Sequence, residues 1–275
     1  MSDELVSAFE RSVDEGVQRL ERPWPALIAT GMVGGLDVSV GVFAFLFVLD
    51  ETSSHLLASL AFGIGFLALT LAGSELFTEN FLVPITAVVA GNAPWYSVLR
   101  LWAGTAAFNL IGGWIGMGLV LVGFPHLRHV ALEVGRHPVS LGIGWQAFAS
   151  ATIAGGVITL MTWMERSTES VFGKVAAAWA MAFVLAAAPL QHAIVISIEA
   201  FAALHAGAPF GYLDWLGALA FASLGNAVGG IGLVTFLRLL QVGPEEIAEE
   251  RARPKDAPRE DDQPADDPPA PTGRR

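Results

Sequence analysis

An all-α integral membrane protein is expected from these 275 residues, with six transmembrane spans in a 3+3 inverted repeat and spans 2 and 5 broken. Hydrophobic residues make up 53% of the chain and charged residues only 15%, a balance that suits lipid-embedded helices better than a soluble domain. Two apolar stretches, 56–90 and 172–206, are each 35 residues long, whereas a helix needs about 20 to cross a bilayer. Each is interrupted near its middle, the first by Gly73-Ser74-Glu75-Leu76-Phe77-Thr78-Glu79-Asn80 and the second by Pro189-Leu190-Gln191-His192. A straight helix of that length would rise about 50 Å against a hydrocarbon core of about 30 Å, so each crossing must be discontinuous. Irregular backbone at that depth survives only where protein buries it or it lines a cavity. The breaks therefore point to a site within the membrane.

From the start of the chain, Leu5, Phe9, Val13, Val17 and Leu20 recur at helical spacing among Glu, Asp and Arg, so residues 1–24 read as an amphipathic surface helix. Ser2 can cap it, with Asp3 and Glu4 in the first turn where the dipole favours acids. Its expected role is packing at the interface, without chemistry. Apolar spans follow at about 25–49, 56–90, 97–123, 139–164, 172–206 and 213–240, giving a pore domain over 25–242. Beyond it the composition turns to Pro, Asp, Glu and Arg, with 7 of the chain's 15 prolines, so residues 243–275 read as a disordered acidic tail.

The net charge of −11 is misleading, because 16 of the 26 acids lie in residues 1–24 and 243–275. Nothing in it suggests a nucleic-acid surface. Cysteine is absent, which excludes disulfides, thiolate metal sites and cysteine nucleophiles, and no cofactor or metal is expected. With a cytoplasmic N-terminus, 13 of the 15 Lys and Arg fall on the inner side and only Arg128 and Arg136 outside, so both termini are expected inside.

Asn109, Gly112 and Gly113 of the third span recur as Asn226, Gly229 and Gly230 of the sixth, an offset of 117 that also maps Glu75 onto His192. Three spans per half is an odd number, so the second half enters the bilayer inverted, and such folds place their substrate near the midplane. The expected role of Asn109, Gly112, Asn226 and Gly229 is close helix packing.

At these residues the chain resembles the formate/nitrite transporter family. Residues 73–78 are similar to its G-x-[DE]-L-F-T loop, Gln191-His192 to the stretch around its central histidine, and Gly225-Asn226 with Gly229-Gly230 to its G-N-x-x-G-G. The resemblance implies a homopentamer with an aquaporin-like pore in each subunit and a small monovalent weak-acid anion as substrate. It implies His192 as the pore histidine, Thr78 as its opposing hydroxyl, and Leu76, Phe66 and Leu185 as apolar constrictions, with Phe77 also on the route. Three positions depart from the family: Ile196 and Gly155 stand where some members have asparagine, and Arg136 and His137 lie where a vestibule lysine is absent. The expected location is the plasma membrane, the inner membrane in a bacterium.

The chemistry is consistent with a pH-sensitive, proton-coupled channel or secondary transporter. An anion pays heavily to enter a dry constriction, whereas its conjugate acid pays far less, so protons are expected partners beside the anion and the lipid bilayer. His192 can either give a proton to the substrate or only orient it, and Thr78 can donate a hydrogen bond from the opposite side. Glu75 is expected to pin its loop by accepting backbone N–H bonds. Asp37 and Glu199 lie within spans, where a charge costs about 2.5–3.5 kcal/mol. They are expected either to be hydrogen-bonded inside the bundle or to handle protons, with Asp37 facing other helices. An enzyme is not expected: an intramembrane serine protease would need a G-x-S-G nucleophile, which the chain lacks. A neutral-solute pore and a non-transporting scaffold are the alternatives.

Overall fold

The computed structural model describes residues 3–253. The expected Ser2 cap and residues 254–275 of the expected tail lie outside them. Helix α1 (Asp3–Glu21) buries Phe9, Val13 and Leu20 against α4 and its neighbours and keeps its acids on the other face. Helix α2 (Trp24–Thr52) makes the first crossing, and α3 (His55–Ala72) begins at Ser54, whose hydroxyl accepts the Leu57 N–H. After a short 3-10 turn (Phe77–Phe81), α4 (Val83–Val89) completes the second crossing. Helix α5 (Trp95–Gly123) is the third.

Residues 128–140 depart from the expected order. They form a separate amphipathic helix, α6 (Arg128–Ser140), and the fourth crossing, α7 (Trp145–Arg166), starts six residues later than the hydropathy suggested. The cause is local: Gly142 takes a left-handed φ of 61°, which ends α6, and the charges of α6 suit a surface better than lipid. Helices α8 (Val171–Ala187) and α9 (Ala193–Ala206) share the fifth crossing. The sixth runs from α10 (Tyr212–Ala227) through a π-helical stretch (Val228–Thr235) into α11 (Phe236–Val242).

The start of the expected tail is ordered. Its first residues form α12 (Pro244–Ala252), tied back by Arg251 to the Val89 carbonyl, by Asn92 to Glu250, and by Arg253 to Glu10 at 2.8 Å. Composition alone argued for disorder here, and these contacts with α1 and the α4–α5 turn overrule it.

Glycines such as Gly112 and Gly229 let spans approach closely. A Cβ on Gly112 would run into the carbonyl oxygen of Met32, and one on Gly229 into that of Thr152. The buried apolar core runs through α2, α3, α5, α6, α7, α8 and α9, and both breaks open into it.

Candidate functional site at the meeting of two helix breaks

The first break begins where Gly73 adopts a φ of 67° and ends α3. The backbone that follows is held by side chains from other spans. Asn109 of α5 accepts the Phe77 N–H at 2.8 Å and donates to the carbonyls of Gly31 and Glu75 at 2.8 and 2.9 Å. Ser74 donates to Asp37 of α2 at 2.5 Å, so Asp37 is hydrogen-bonded within the bundle and faces the break.

Glu75 is fully buried, yet its carboxylate is not held by backbone N–H groups as expected. Arg22 donates to it at 2.5 Å, Asn80 donates at 2.8 Å, and Arg19 stands 3.6 Å away. The reason is that the loop's own N–H groups are already used, by Asn109 at Phe77 and by the Leu76 carbonyl at Glu79. A buried carboxylate then needs a cation, and Arg19 of α1 and Arg22 just beyond its end supply two.

This charged clamp was missed by the sequence reading, which gave α1 a packing role only. Arg19 is 5% exposed and also meets Glu15, Asn80 and Glu79. Arg166 bonds to Glu15, and Thr70 donates to Glu165 at 2.9 Å. Together these side chains line a polar cavity of about 120 Å³. Arginines at 19 and 22 share a helix face, but nothing in the sequence paired them with a loop more than 50 residues away.

The second break, after α8, uses a matching device. Asn226 of α10 accepts the Ala193 N–H at 2.9 Å and donates to the carbonyls of Ala151 and Gln191 at 2.8 and 2.9 Å. Ser150 accepts the Gln191 N–H at 3.1 Å. His192 is the N-cap of α9: its Nδ1 accepts the Val195 N–H at 3.3 Å.

The two breaks meet through one contact. Thr78 Oγ1 lies 2.6 Å from His192 Nε2, and both residues are fully buried. Because Nδ1 is used as an acceptor, the neutral ring carries its proton on Nε2, which then donates to the Thr78 oxygen. That leaves the Thr78 hydroxyl hydrogen free to point onward. Leu76, Phe66 and Leu185 belong to one contiguous buried cluster, with Phe77 packed against it at partial exposure. Leu76 lies in the first break two positions before Thr78, and Phe66 and Leu185 lie in the helices that lead into the two breaks. Among the described residues Glu199 of α9 has no side-chain partner. Among the described residues no group of three or more His, Cys, Asp or Glu is placed to hold a metal.

Residues 6–240 match the model of a family described as "Formate/nitrite transporter". The chain belongs to the formate/nitrite transporter family. It is 27% identical over 250 residues to the formate channel BtFdhC of Bacillus thuringiensis, covering 82% of this chain and 91% of that one. Its fold is similar to that of a solved "FNT family ion channel", with a TM-score of 0.74 at 18% identity over 86% of this chain and 99% of the other. It also matches a "Pentameric formate channel with formate bound", with a TM-score of 0.65 at 21% identity over 79% and 97% of the two chains. Membership in this family places the chain among multi-pass membrane channels and transporters rather than enzymes.

Proposed function

We propose that each subunit passes small monovalent weak-acid anions of the formate and nitrite class through a route at the junction of the two breaks. The observation that carries this reading is the fully buried contact between Thr78 and His192. The two side chains satisfy each other, so their burial is tolerable, and the Thr78 hydroxyl hydrogen is still left as a donor beside an imidazole deep in the protein. An anion reaching it accepts the Thr78 O–H, and the imidazole either orients it or gives it a proton. Leu76, Phe66 and Leu185 keep hydrated ions out, so passage favours the conjugate acid and rises as pH falls.

The matching roles of Asn109 and Asn226 support an inverted 3+3 repeat, since each holds one break by one accepted and two donated bonds to backbone. The pentameric formate channel of similar fold supports a homopentamer. We place the chain in the plasma membrane with both termini in the cytoplasm, on the strength of its Lys and Arg distribution.

Formate and nitrite uptake into proteoliposomes, at two external pH values, tests the reading. Wild type is expected to take up both faster at the lower pH. His192→Ala is expected to lose the pH dependence, and Thr78→Val to slow uptake by about tenfold, the equivalent of one donated hydrogen bond at about 1.4 kcal/mol. An inert wild-type protein, or one passing only uncharged solutes, would refute it.

A further inference from the structure

The helix that begins at His192 carries a second ionisable residue on the same face, Glu199, seven positions on. Seven residues are close to two turns, which separates the pair by about 10 Å along the axis. Between Ala193 and Ala203, Glu199 alone is not buried. Its neighbours on that face, Val195, Ile196, Ala202 and Ala203, are all buried, so Glu199 is a partly open position on an otherwise covered face. Helix α6 packs against this stretch of α9, pressed so close at Gly135 that a Cβ there would run into the Glu199 carbonyl oxygen. The Glu199 carboxyl has no hydrogen bond or ion pair with any described residue. An unpartnered carboxyl at that depth is costly unless water or a ligand reaches it.

The other ionisable groups around α9 are engaged or set apart. Asp37 receives Ser74, Asp50 pairs with His129, Asp214 accepts the Gly211 N–H, Tyr212 accepts the Trp114 indole, and His205 meets the Trp114 carbonyl. Arg100 donates to the Leu20 and Arg22 carbonyls and Glu79 faces Arg19, both at the α1 end. Glu51 and Arg128 are exposed. Glu133, Arg136 and His137 of α6 line an open cavity of about 580 Å³ together with Gly207 and Pro209, just past the end of α9.

We infer that Glu199 is a proton-donating station on the α6 side of the His192 and Thr78 pair, where an arriving weak-acid anion is protonated before it reaches the apolar ring. This rests on the reading of the junction as a weak-acid route. The O–H bond of the protonated Glu199 breaks, an O–H bond forms on an anion oxygen, and the resulting carboxylate is reprotonated from the adjoining aqueous phase. The neutral acid then enters the constriction that its anion cannot enter cheaply.

Full-length protein in proteoliposomes, with formate as the probe, tests this. Glu199→Gln is expected to cut formate uptake by at least about tenfold and to flatten its dependence on pH in the compartment facing α6, while Glu199→Asp keeps the wild-type slope. Because the chain has no cysteine, Glu199→Cys provides a single thiol. It is expected to react with a small charged methanethiosulfonate added from that side, and Ala203→Cys is expected to stay unreacted. Uptake in Glu199→Gln with an unchanged rate and pH slope overturns the proposal, and so does faster uptake at every pH, which would mark a mere electrostatic barrier. A thiol at 199 that is inert from both sides overturns it as well, and decides the matter if the Gln variant does not assemble. Wild type that moves no formate overturns the route and this proposal together. Uptake lost in His192→Ala but unchanged in Glu199→Gln removes this proposal alone.

Discussion

The two breaks solve one structural problem with different chemistry. Both interrupt a crossing, and both hand their freed backbone groups to an asparagine on a glycine-rich helix, Asn109 for the first and Asn226 for the second. Beyond that they diverge. The first is ten residues long, contains its own 3-10 turn, and is tied by Arg19 and Arg22 to a buried carboxylate. The second spans only 188–192 and is held by Ser150, Asn226 and a histidine that caps the following helix. A long loop leaves more backbone unsatisfied and needs a charged anchor from outside the crossings. A short one can be closed by the functional side chain itself.

The sharpest way to break this contrast is to remove the anchor. Glu75→Ala leaves Arg19 and Arg22 facing each other without their shared carboxylate, and is expected to destabilise the protein by about 3–5 kcal/mol. Thermal unfolding of the detergent-solubilised oligomer checks it, and an unchanged midpoint would mean that Asn109 alone holds the first break. Next come the asparagines, which should behave alike if the two devices are equivalent. Asn109→Ala and Asn226→Ala each orphan one buried N–H and one loop carbonyl and remove an extra bond to a helix carbonyl, and are expected to cost about 2–3 kcal/mol apiece in the same assay. A difference of more than about 2 kcal/mol between them would end the equivalence. The smallest effect belongs to Ser150→Ala, which removes one acceptor from the Gln191 N–H and is expected to cost about 1 kcal/mol with formate uptake retained.

The parts of the fold legible from sequence were those that leave a periodic or compositional mark. The six crossings, both breaks, and the asparagine–glycine pairs at 109 and 226 are of this kind, because hydropathy, helix-breaking residues and a fixed offset act locally. Thr78 and His192 came together as the resemblance implied, while neither residue alone carries a signal for the other across 114 positions. The clamp was illegible for a related reason: Arg19 and Arg22 look like any polar face of an amphipathic helix until the loop they serve is folded beside them. Helix α6 was passed over because nearly all of it lies between the expected spans at 97–123 and 139–164, and the left-handed turn at Gly142 that delays the next crossing is a conformational fact that hydropathy does not register. Helix α12 was hidden by composition, since its stability comes from contacts with α1 and the α4–α5 turn rather than from its own residues.

The clamp on Glu75 also bears on the order in which the chain is assembled. Arg22 and Glu75 are 53 positions apart with only the α2–α3 hairpin between them, so this link can close while the ribosome is still making the second half. Asn226 lies 33 positions beyond Ala193, and Thr78 must wait for a partner 114 positions away. The charged anchor can thus form well before the contact between Thr78 and His192, so the histidine seats itself against a loop already fixed in place.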